Sequence, residues 1–290
     1  MSSSSLLAFI HIHKTGGTTV EWILRSAYGA NYYEPRPAIM PDTLPWEAAL
    51  TPGGLRALLR EKPHLKGIGG HAIQPHMALD AVAVDVAYFT IMRDPVKMRA
   101  SMYQHGVMAL GLENLPLEKW LAEEQSQNRQ TRMIAGVADA GKALQIIREK
   151  QIVVGLTERF NESMLLVQKL QAPNLDIRYR RMRVATDSSI ARQVLADPET
   201  RALLMQGNEE DIALYQAVCQ EIYPAQVREY GPGLEEDAVR YQQALAVYGN
   251  GRVSANWLQG SRLSKLAILV DPAPFNRQRL LRYFMGQQLS

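Results

Sequence analysis

The segment Lys14–Thr19, with the sequence KTGGTT, brings a cation, two glycines and three hydroxyl groups together directly after an apolar run. When a glycine-rich turn joins a buried strand to a helix, backbone N–H groups converge on one point, and the helix N-terminus adds a partial positive charge. Lys14 adds a full charge, and the hydroxyl groups of Thr15, Thr18 and Thr19 add further donors. The segment therefore predicts a site for a phosphate-like anion. The alternative is a glycine-rich turn in which a threonine caps the helix.

This segment differs from the loop that binds nucleoside triphosphates in many enzymes. That loop follows the pattern GxxxxGK[ST], in which the lysine comes after the glycines. Here Lys14 precedes Gly16 and Gly17, and the loop is shorter. Since no later motif supplies an evident carboxylate for magnesium, the sequence predicts an anion site without a metal.

A second candidate for anion binding is Arg93, which follows the apolar run Val82–Met92 in the sequence RDP. Ligands of open parallel sheets collect at the carboxyl ends of strands, where an arginine offers a planar fork suited to a phosphate. Ser101 follows eight residues later, two turns into the expected helix, and can donate from the same side. Asp94 is a candidate cap for that helix. The alternative is an arginine in a surface ion pair.

Histidines near these segments are candidates for proton transfer, because the pKa of imidazole lies close to neutral pH. His13 directly precedes Lys14, and His71 lies in the sequence GGHA, where the flanking glycines leave room for a second reactant. His11 lies in the first apolar run and is expected to be buried. The alternative for His71 is a structural histidine that is held by hydrogen bonds.

Two arginines, Arg129 and Arg132, lie in the sequence NRQTR. We predict that they bind an anionic ligand or an acidic substrate. The alternative is a solvated helix face, since charged helix residues more often point to water.

Three apolar segments of strand length alternate with helical patterns along the chain. They are Leu6–Ile12, the latter half of Val82–Met92, and Ile152–Leu156. Strands that alternate with helices predict an α/β fold with a P-loop-like three-layer core, in which helices flank a central parallel sheet. Arg93, at the end of the second of these strands, would then lie where the ligands of open α/β sheets collect.

The remaining helical patterns extend almost to the end of the chain. They cover residues 53–61, 95–107, 116–124, 128–135, 140–149, 159–170, 189–205 and 208–229. We interpret residues 1–230 as one α/β domain. Residues 231–290, which follow the turn Gly231–Gly233, form a C-terminal extension that is expected to pack on the domain. In it we predict a helix at 234–247, a strand at 267–270 and a basic helix at 277–285.

Composition narrows the function classes. Of 290 residues, 47% are hydrophobic and 21% are charged, which favours a folded chain with a sizeable core. The net charge of +3 is too small to indicate a nucleic-acid-binding protein. Cys219 is the only cysteine, so no intrachain disulfide is possible and a reducing compartment, the cytoplasm, is expected. Since the chain has no run of 18 apolar residues and no recognisable signal peptide, we predict no transmembrane segment.

Together, the segments around Lys14 and Arg93 resemble the PAPS-dependent sulfotransferases, where PAPS is 3′-phosphoadenosine 5′-phosphosulfate. That family has the pattern PKTGGT[ST] between a strand and a helix, and a second strand that ends in RDP with a serine eight residues after the arginine. Three further stretches are similar to the branch of the uronyl and heparan-sulfate 2-O-sulfotransferases: GGHA at 69–72, NRQTRMIAG at 128–136 and VGLTERF at 154–160. The resemblance covers residues 6–170. The extension matches nothing in the family, and His13 stands where the family has proline.

The resemblance implies a reaction and a role for each candidate residue. It implies in-line transfer of a sulfuryl group to an acceptor hydroxyl, with adenosine 3′,5′-diphosphate as the other product and no metal. A carbohydrate or a small hydroxylated metabolite is the expected acceptor. His71 matches the family's catalytic base, and Lys14 stabilises charge on the leaving oxygen. The 5′-phosphosulfate is held by Lys14, Thr15, Gly16, Gly17, Thr18 and Thr19, and the 3′-phosphate by Arg93 and Ser101.

Three questions stay open at this point. His13 is either a harmless replacement for proline or a second participant in proton transfer. A nucleotide-dependent phosphoryl-transfer enzyme would use ATP and magnesium instead. A binding module without catalytic activity would keep the nucleotide pocket and show no turnover.

Overall fold

The computed structural model describes residues 5–35, 49–82, 85–110, 116–122, 127–179 and 188–249. The predicted strand at 267–270 and the predicted basic helix at 277–285 lie outside these ranges.

The centre of the molecule is a sheet of five parallel strands. In chain order they are β1 Leu6–Ile10, β2 Tyr32–Tyr33, β3 Gly67–Gly70, β4 Val86–Met92 and β5 Val153–Leu156. Their order across the sheet is β2-β3-β1-β4-β5. All five residues of β1 are buried, since β1 pairs with β3 on one side and with β4 on the other. The predicted three-layer α/β fold with a parallel sheet is thereby confirmed.

Helices make up most of the rest of the described chain. They are α1 Gly17–Tyr28, α2 Pro52–Glu61, α3 Pro95–Leu110, α4 Leu117–Ala122, α5 Arg129–Ala135, α6 Ala140–Glu149, α7 Phe160–Leu170, α8 Ser189–Ala196, α9 Pro198–Met205, α10 Glu209–Ala217, α11 Tyr223–Tyr230 and α12 Leu234–Gly249. No helix of the described residues is long and apolar enough to cross a membrane.

The three predicted strands are present, but β2 and β3 were missed. β3 has the sequence GIGG, and glycine lowers the strand propensity on which the prediction depends. The structure shows why glycine stands there. A Cβ atom on Gly69 would lie 2.2 Å from Oη of Tyr32, and one on Gly67 would lie 2.9 Å from the ring of Tyr28. The aromatic rings next to β3 therefore occupy the space that larger strand residues would fill.

Two long predicted helices are interrupted. The helix predicted at 189–205 is two helices, because Pro198 lacks an N–H donor and disfavours helical backbone at Asp197. The Asp197 side chain accepts a hydrogen bond from the N–H of Thr200 at 2.8 Å and so starts α9. The pattern at 208–229 contains a π-helical turn at Val218–Ile222, which ends two residues before Pro224.

The extension begins with α12, which packs against α7. Tyr241 donates a hydrogen bond to the carbonyl of Ile177, and the ring of Tyr248 meets that of Trp22 edge-on at 6.3 Å. The first part of the extension therefore packs against α7 and contacts Trp22 of α1.

Candidate functional site

The predicted anion loop is the connection between β1 and α1, residues 11–16, which we call the β1–α1 loop. Gly16 precedes α1 with φ of +91°, a left-handed conformation that favours glycine. Because Gly16 has no side chain, it supplies no capping oxygen to the first N–H groups of α1. The first turn of α1 contains no acidic residue either. No side-chain cap and no acidic residue therefore offsets the partial positive charge at the start of α1, which suits an anion.

Lys14 also has a left-handed backbone, with φ of +61°, which is strained for a residue with a Cβ atom. Hydrogen bonds hold this conformation from both sides. The carbonyl of Lys14 accepts a bond from Nη1 of Arg93 at 3.0 Å, and the carbonyl of Thr15 accepts one from Oγ1 of Thr157 at 2.7 Å. Oγ1 of Thr15 donates to the carbonyl of Ile12 at 2.9 Å. The hydroxyl group of Thr15 is therefore used inside the loop, and an anion would meet the backbone of Thr15.

Arg93 follows β4, as predicted, and its backbone is gripped by the side chain of Gln130. The N–H of Arg93 donates to Oε1 of Gln130 at 3.0 Å, and Nε2 of Gln130 donates to the carbonyl of Arg93 at 2.8 Å. Burial lowers the pKa of the Arg93 guanidinium, against the opposing charges of Glu158 and Asp94. The contact between Arg93 and Lys14 joins the two predicted anion-binding segments into one site.

Asp94 and Ser101, the other two candidate residues of the segment that begins with Arg93, have different surroundings. Asp94 caps α3, since its Oδ1 accepts a bond from the N–H of Lys97 at 2.9 Å. Ser101 is half-buried within α3. Among the described residues no hydrogen bond joins Ser101 to Arg93.

Three histidine rings stack on one another, two from the β1–α1 loop and one, His71, from the residue that follows β3. The centroids of His11 and His71 lie 4.2 Å apart, and those of His71 and His13 lie 3.7 Å apart with an interplanar angle of 5°. Nδ1 of His71 is 2.6 Å from the carbonyl of His11. Since a carbonyl only accepts, Nδ1 of His71 carries the proton, and Nε2 keeps a lone pair that can take up another.

Two rings of the stack, those of His71 and His13, are uncharged at neutral pH because their pKa values are lowered. Burial lowers the pKa of His71 to about 3, with a further contribution from the charge of His11. Burial also holds the pKa of His13 well below its usual value, with contributions from His71 and Arg129. A neutral imidazole is the form that acts as a general base.

The buried pair of His11 and Glu21 was missed by sequence reasoning. Nδ1 of His11 lies 2.7 Å from Oε1 of Glu21. Burial raises the pKa of Glu21, but His11 and Arg25 outweigh burial and lower it to about 2, so Glu21 is ionised. A Cβ atom on Gly17 would lie 2.0 Å from Cδ2 of His11, so this glycine makes room for the imidazole. The sequence did contain a signal for this pair, because Glu21 lies about one helical turn into α1, the helix that follows the loop with His11.

The arginines of the NRQTR segment lie on α5 and differ in burial. Arg129 is only 2% exposed, which rules out the solvated helix face for this residue. Its charge lowers the pKa of both His13 and His71, so it belongs to the same site. Arg132 is half-buried on α5.

Comparison with known proteins adds no family to this picture. No protein-family model matches the chain, and no curated protein matches it. Among the described residues, no group of three or more His, Cys, Asp or Glu side chains is placed to hold a metal ion.

The site as a whole combines positive charge with a neutral base. Arg93 donates to the carbonyl of Lys14 at the carboxyl edge of the sheet, and the charge of Arg129, on α5, lowers the pKa values of His13 and His71. An anion that is attracted to these cations would lie close to a histidine that can accept a proton. The arrangement suits transfer of an anionic group to a hydroxyl.

Proposed function

We propose that the chain is a PAPS-dependent sulfotransferase that transfers a sulfuryl group to an acceptor hydroxyl. The contact that carries the proposal is the one between Nη1 of Arg93 and the carbonyl of Lys14, at 3.0 Å. It joins two cationic segments that are far apart in sequence, which is what a ligand with two separated phosphate groups requires. We expect the protein to act in the cytoplasm on a carbohydrate or a small hydroxylated metabolite.

The residues of the β1–α1 loop fit the phosphosulfate end of such a donor. Lys14 and the N–H groups of Gly16, Gly17 and Thr18 would hold it, while the N–H of Thr19 donates to the carbonyl of Gly16 at 3.0 Å. Gly16 is exposed and leaves the backbone open to a ligand. Arg93 would hold the 3′-phosphate together with Ser101. When bound, the donor supplies an activated sulfuryl group.

His71 is the proposed general base. Its Nδ1–H is held by the carbonyl of His11, so Nε2 would accept the proton of the acceptor hydroxyl. The low pKa of His71 keeps Nε2 unprotonated at neutral pH. His13 stacks on His71 and is the second candidate for this role. Lys14 would stabilise the negative charge that develops on the leaving oxygen.

Ligand preference tests the proposal without knowledge of the acceptor. Adenosine 3′,5′-diphosphate should stabilise the fold by about 2.7 kcal/mol at a hundredfold excess over its dissociation constant. ATP with magnesium should stabilise it less, because its phosphates are all attached at one end. A larger thermal shift with ATP and magnesium than with the 3′,5′-diphosphate would favour a phosphoryl-transfer enzyme.

Turnover is tested with radiolabelled PAPS and a panel of glycans and small alcohols. Transfer of label to one acceptor class, undiminished in EDTA, is the expected result. Tight binding of adenosine 3′,5′-diphosphate with no transfer to any acceptor would instead favour a binding module.

A further inference from the structure

Asp211 is a buried carboxylate on α10 that lies outside the proposed site. It is 0% exposed, its carboxylate accepts hydrogen bonds from residues of α5, and its N–H donates to the residue directly before α5. Oδ2 accepts a hydrogen bond from the N–H of Gln130 at 3.0 Å. Oδ1 accepts from the N–H and from Oγ1 of Thr131, both at 2.7 Å. Asp211 thus satisfies N–H groups in the first turn of α5, which have no partner within that helix.

The N-termini of α5 and α10 cap each other. Asn128, directly before α5, accepts a bond at Oδ1 from the N–H of Asp211 at 3.1 Å. Asn208, directly before α10, accepts one at Oδ1 from the N–H of Asn128 at 2.8 Å. Each helix start is therefore held by side chains of the other, which fixes their relative position.

The contacts continue from α5 to the anion site. Gln130, whose N–H is held by Asp211, uses its side chain to grip both the N–H and the carbonyl of Arg93. Arg93 in turn donates to the carbonyl of Lys14. A continuous series of hydrogen bonds therefore runs from Asp211 through Gln130 and Arg93 to the β1–α1 loop.

A carboxylate in this position is costly to bury, which argues that it has a specific task. Burial raises the pKa of Asp211, and the bonds from Thr131 and Gln130, with the charge of Arg99, oppose that rise. The guanidinium of Arg99 is itself fixed by the carbonyls of Leu204, Gln206 and Leu121. Both carboxylate oxygens of Asp211 accept hydrogen bonds, and a buried group that is satisfied in this way rigidifies its surroundings.

We infer that Asp211 is a positioning residue for the anion site, because it fixes the start of α5 and, through Gln130, the backbone of Arg93. As part of an anion site, this inference rests on the proposed sulfotransferase function. Glu210 provides a matched control. It is the preceding residue of the same helix, and its Oε2 accepts a bond from the N–H of Ala140 at 2.7 Å, at the start of α6 rather than α5.

The first test measures the affinity for adenosine 3′,5′-diphosphate by calorimetry. Asp211→Asn keeps the shape of the side chain but presents a donor to one N–H group, so affinity should fall about tenfold. Glu210→Gln should change affinity less than about twofold. In an Arg93→Ala background, Asp211→Asn should also cost less than about twofold, because its effect passes through Arg93. An equal loss in both backgrounds, or unchanged affinity in Asp211→Asn, would overturn the inference.

The second test needs no ligand. The N–H of Arg93 donates to Oε1 of Gln130, so its hydrogen exchange reports the grip directly. Exchange at Arg93 should be about tenfold faster in Asp211→Asn and unchanged in Glu210→Gln.

If the wild type binds no adenosine 3′,5′-diphosphate, the proposed function fails, while this measurement still decides whether Asp211 positions Arg93. Should Asp211→Asn not fold, Thr131→Val removes only the hydroxyl bond and should accelerate exchange at Arg93 to a smaller degree. If the N–H of Arg93 exchanges as slowly in folded Asp211→Asn, or in Thr131→Val, as it does in the wild type, the inference is wrong.

Discussion

The two sides of the site, the β1–α1 loop and α5, are held in place by different contacts. The loop depends on backbone geometry: two left-handed residues, Lys14 and Gly16, and carbonyl groups that accept bonds from Arg93 and Thr157. α5 depends on buried polar side chains, above all Asp211. The loop carries groups that would take part in the reaction, whereas α5 supports the groups that bind.

Because of this difference, we expect substitutions on the two sides to impair different properties, turnover on one side and binding on the other. Substitutions on the loop side, including those of His71, which stacks on two histidines of the loop, should reduce turnover more than they reduce affinity for the donor. Changes on the α5 side should reduce binding through Arg93. The variants below are arranged from the largest expected effect to the smallest.

The largest effect is expected for His71→Ala. Loss of a general base typically reduces turnover by about 10²–10⁴-fold, while affinity for adenosine 3′,5′-diphosphate should be retained. His13→Ala serves as the comparison and should be milder. If His13→Ala proves the more damaging with binding intact, the base is His13, and the comparison of the two sides is unaffected.

Lys14→Ala is expected to follow. Removal of one preorganised contact to developing charge costs about 10²–10³-fold in rate, and affinity should fall far less. Lys14→Arg should restore little, because the guanidinium is planar and larger than an ammonium group. Steady-state transfer of radiolabelled sulfate measures both variants. A loss that is confined to affinity would place Lys14 with the binding groups and weaken the contrast between the two sides.

Arg93→Ala should affect both sides of the site, because Arg93 is held by α5 and itself holds the loop. Loss of a charged hydrogen-bonding partner should weaken binding of adenosine 3′,5′-diphosphate by about 1.5–3 kcal/mol. Ser101→Ala should cost less, because a neutral hydroxyl is a weaker partner. Calorimetry on both variants gives the result, and full affinity in Arg93→Ala would remove it from the phosphate site.

The loop was more predictable from the sequence than α5 was. Lys14, Gly16 and Gly17 lie close together in the chain, so the turn and the helix start that they form could be predicted from local turn chemistry. The hydrogen-bond partner of Gln130 and Thr131 is Asp211, about 80 residues further on, and no local sequence pattern indicates this contact. The core strands β1, β4 and β5 were found by their apolar runs, whereas the glycine-rich β3 was not, because the rings packed on it decide its composition.

For one residue of the anion loop the structure gives a second physical reason. Gly17 was assigned to the anion loop, and the structure shows that the imidazole of His11 also requires a glycine there. Glu21 was not singled out at all, although its carboxylate is the partner of that imidazole. Such pairs depend on how a helix is rotated against its strand, which hydrophobic periodicity places only approximately.

Gly17→Ala tests this interpretation of the loop through stability. The new Cβ atom would lie 2.0 Å from the His11 ring, which is held by Glu21 and by the stack with His71, so the ring must shift. Overpacking of this kind costs about 1–3 kcal/mol of unfolding free energy. Gly53→Ala in α2 is the control, because its Cβ atom would meet only Oγ1 of Thr51 at 3.9 Å. Urea unfolding should show a loss for Gly17→Ala alone, and equal stability of both variants would contradict a tightly held His11.

The smallest expected effect is on the pH dependence of stability, where the two sides differ in sign. The pKa of His71 is lowered from 6.5 to about 3, so its contribution is complete above pH 6.5 and is lost as the pH falls towards 3. The pKa of Asp211 is raised by burial, so its contribution is lost as the pH rises. One proton corresponds to at most about 1.4 kcal/mol per pH unit, and partial exposure of His71 reduces this. Urea unfolding at pH 7 and pH 5 should show a smaller acid-induced loss in His71→Gln than in the wild type. In Asp211→Asn the acid-induced loss should be as large as in the wild type or larger, and a reduced loss there would show that the α5 side does not titrate in the opposite direction.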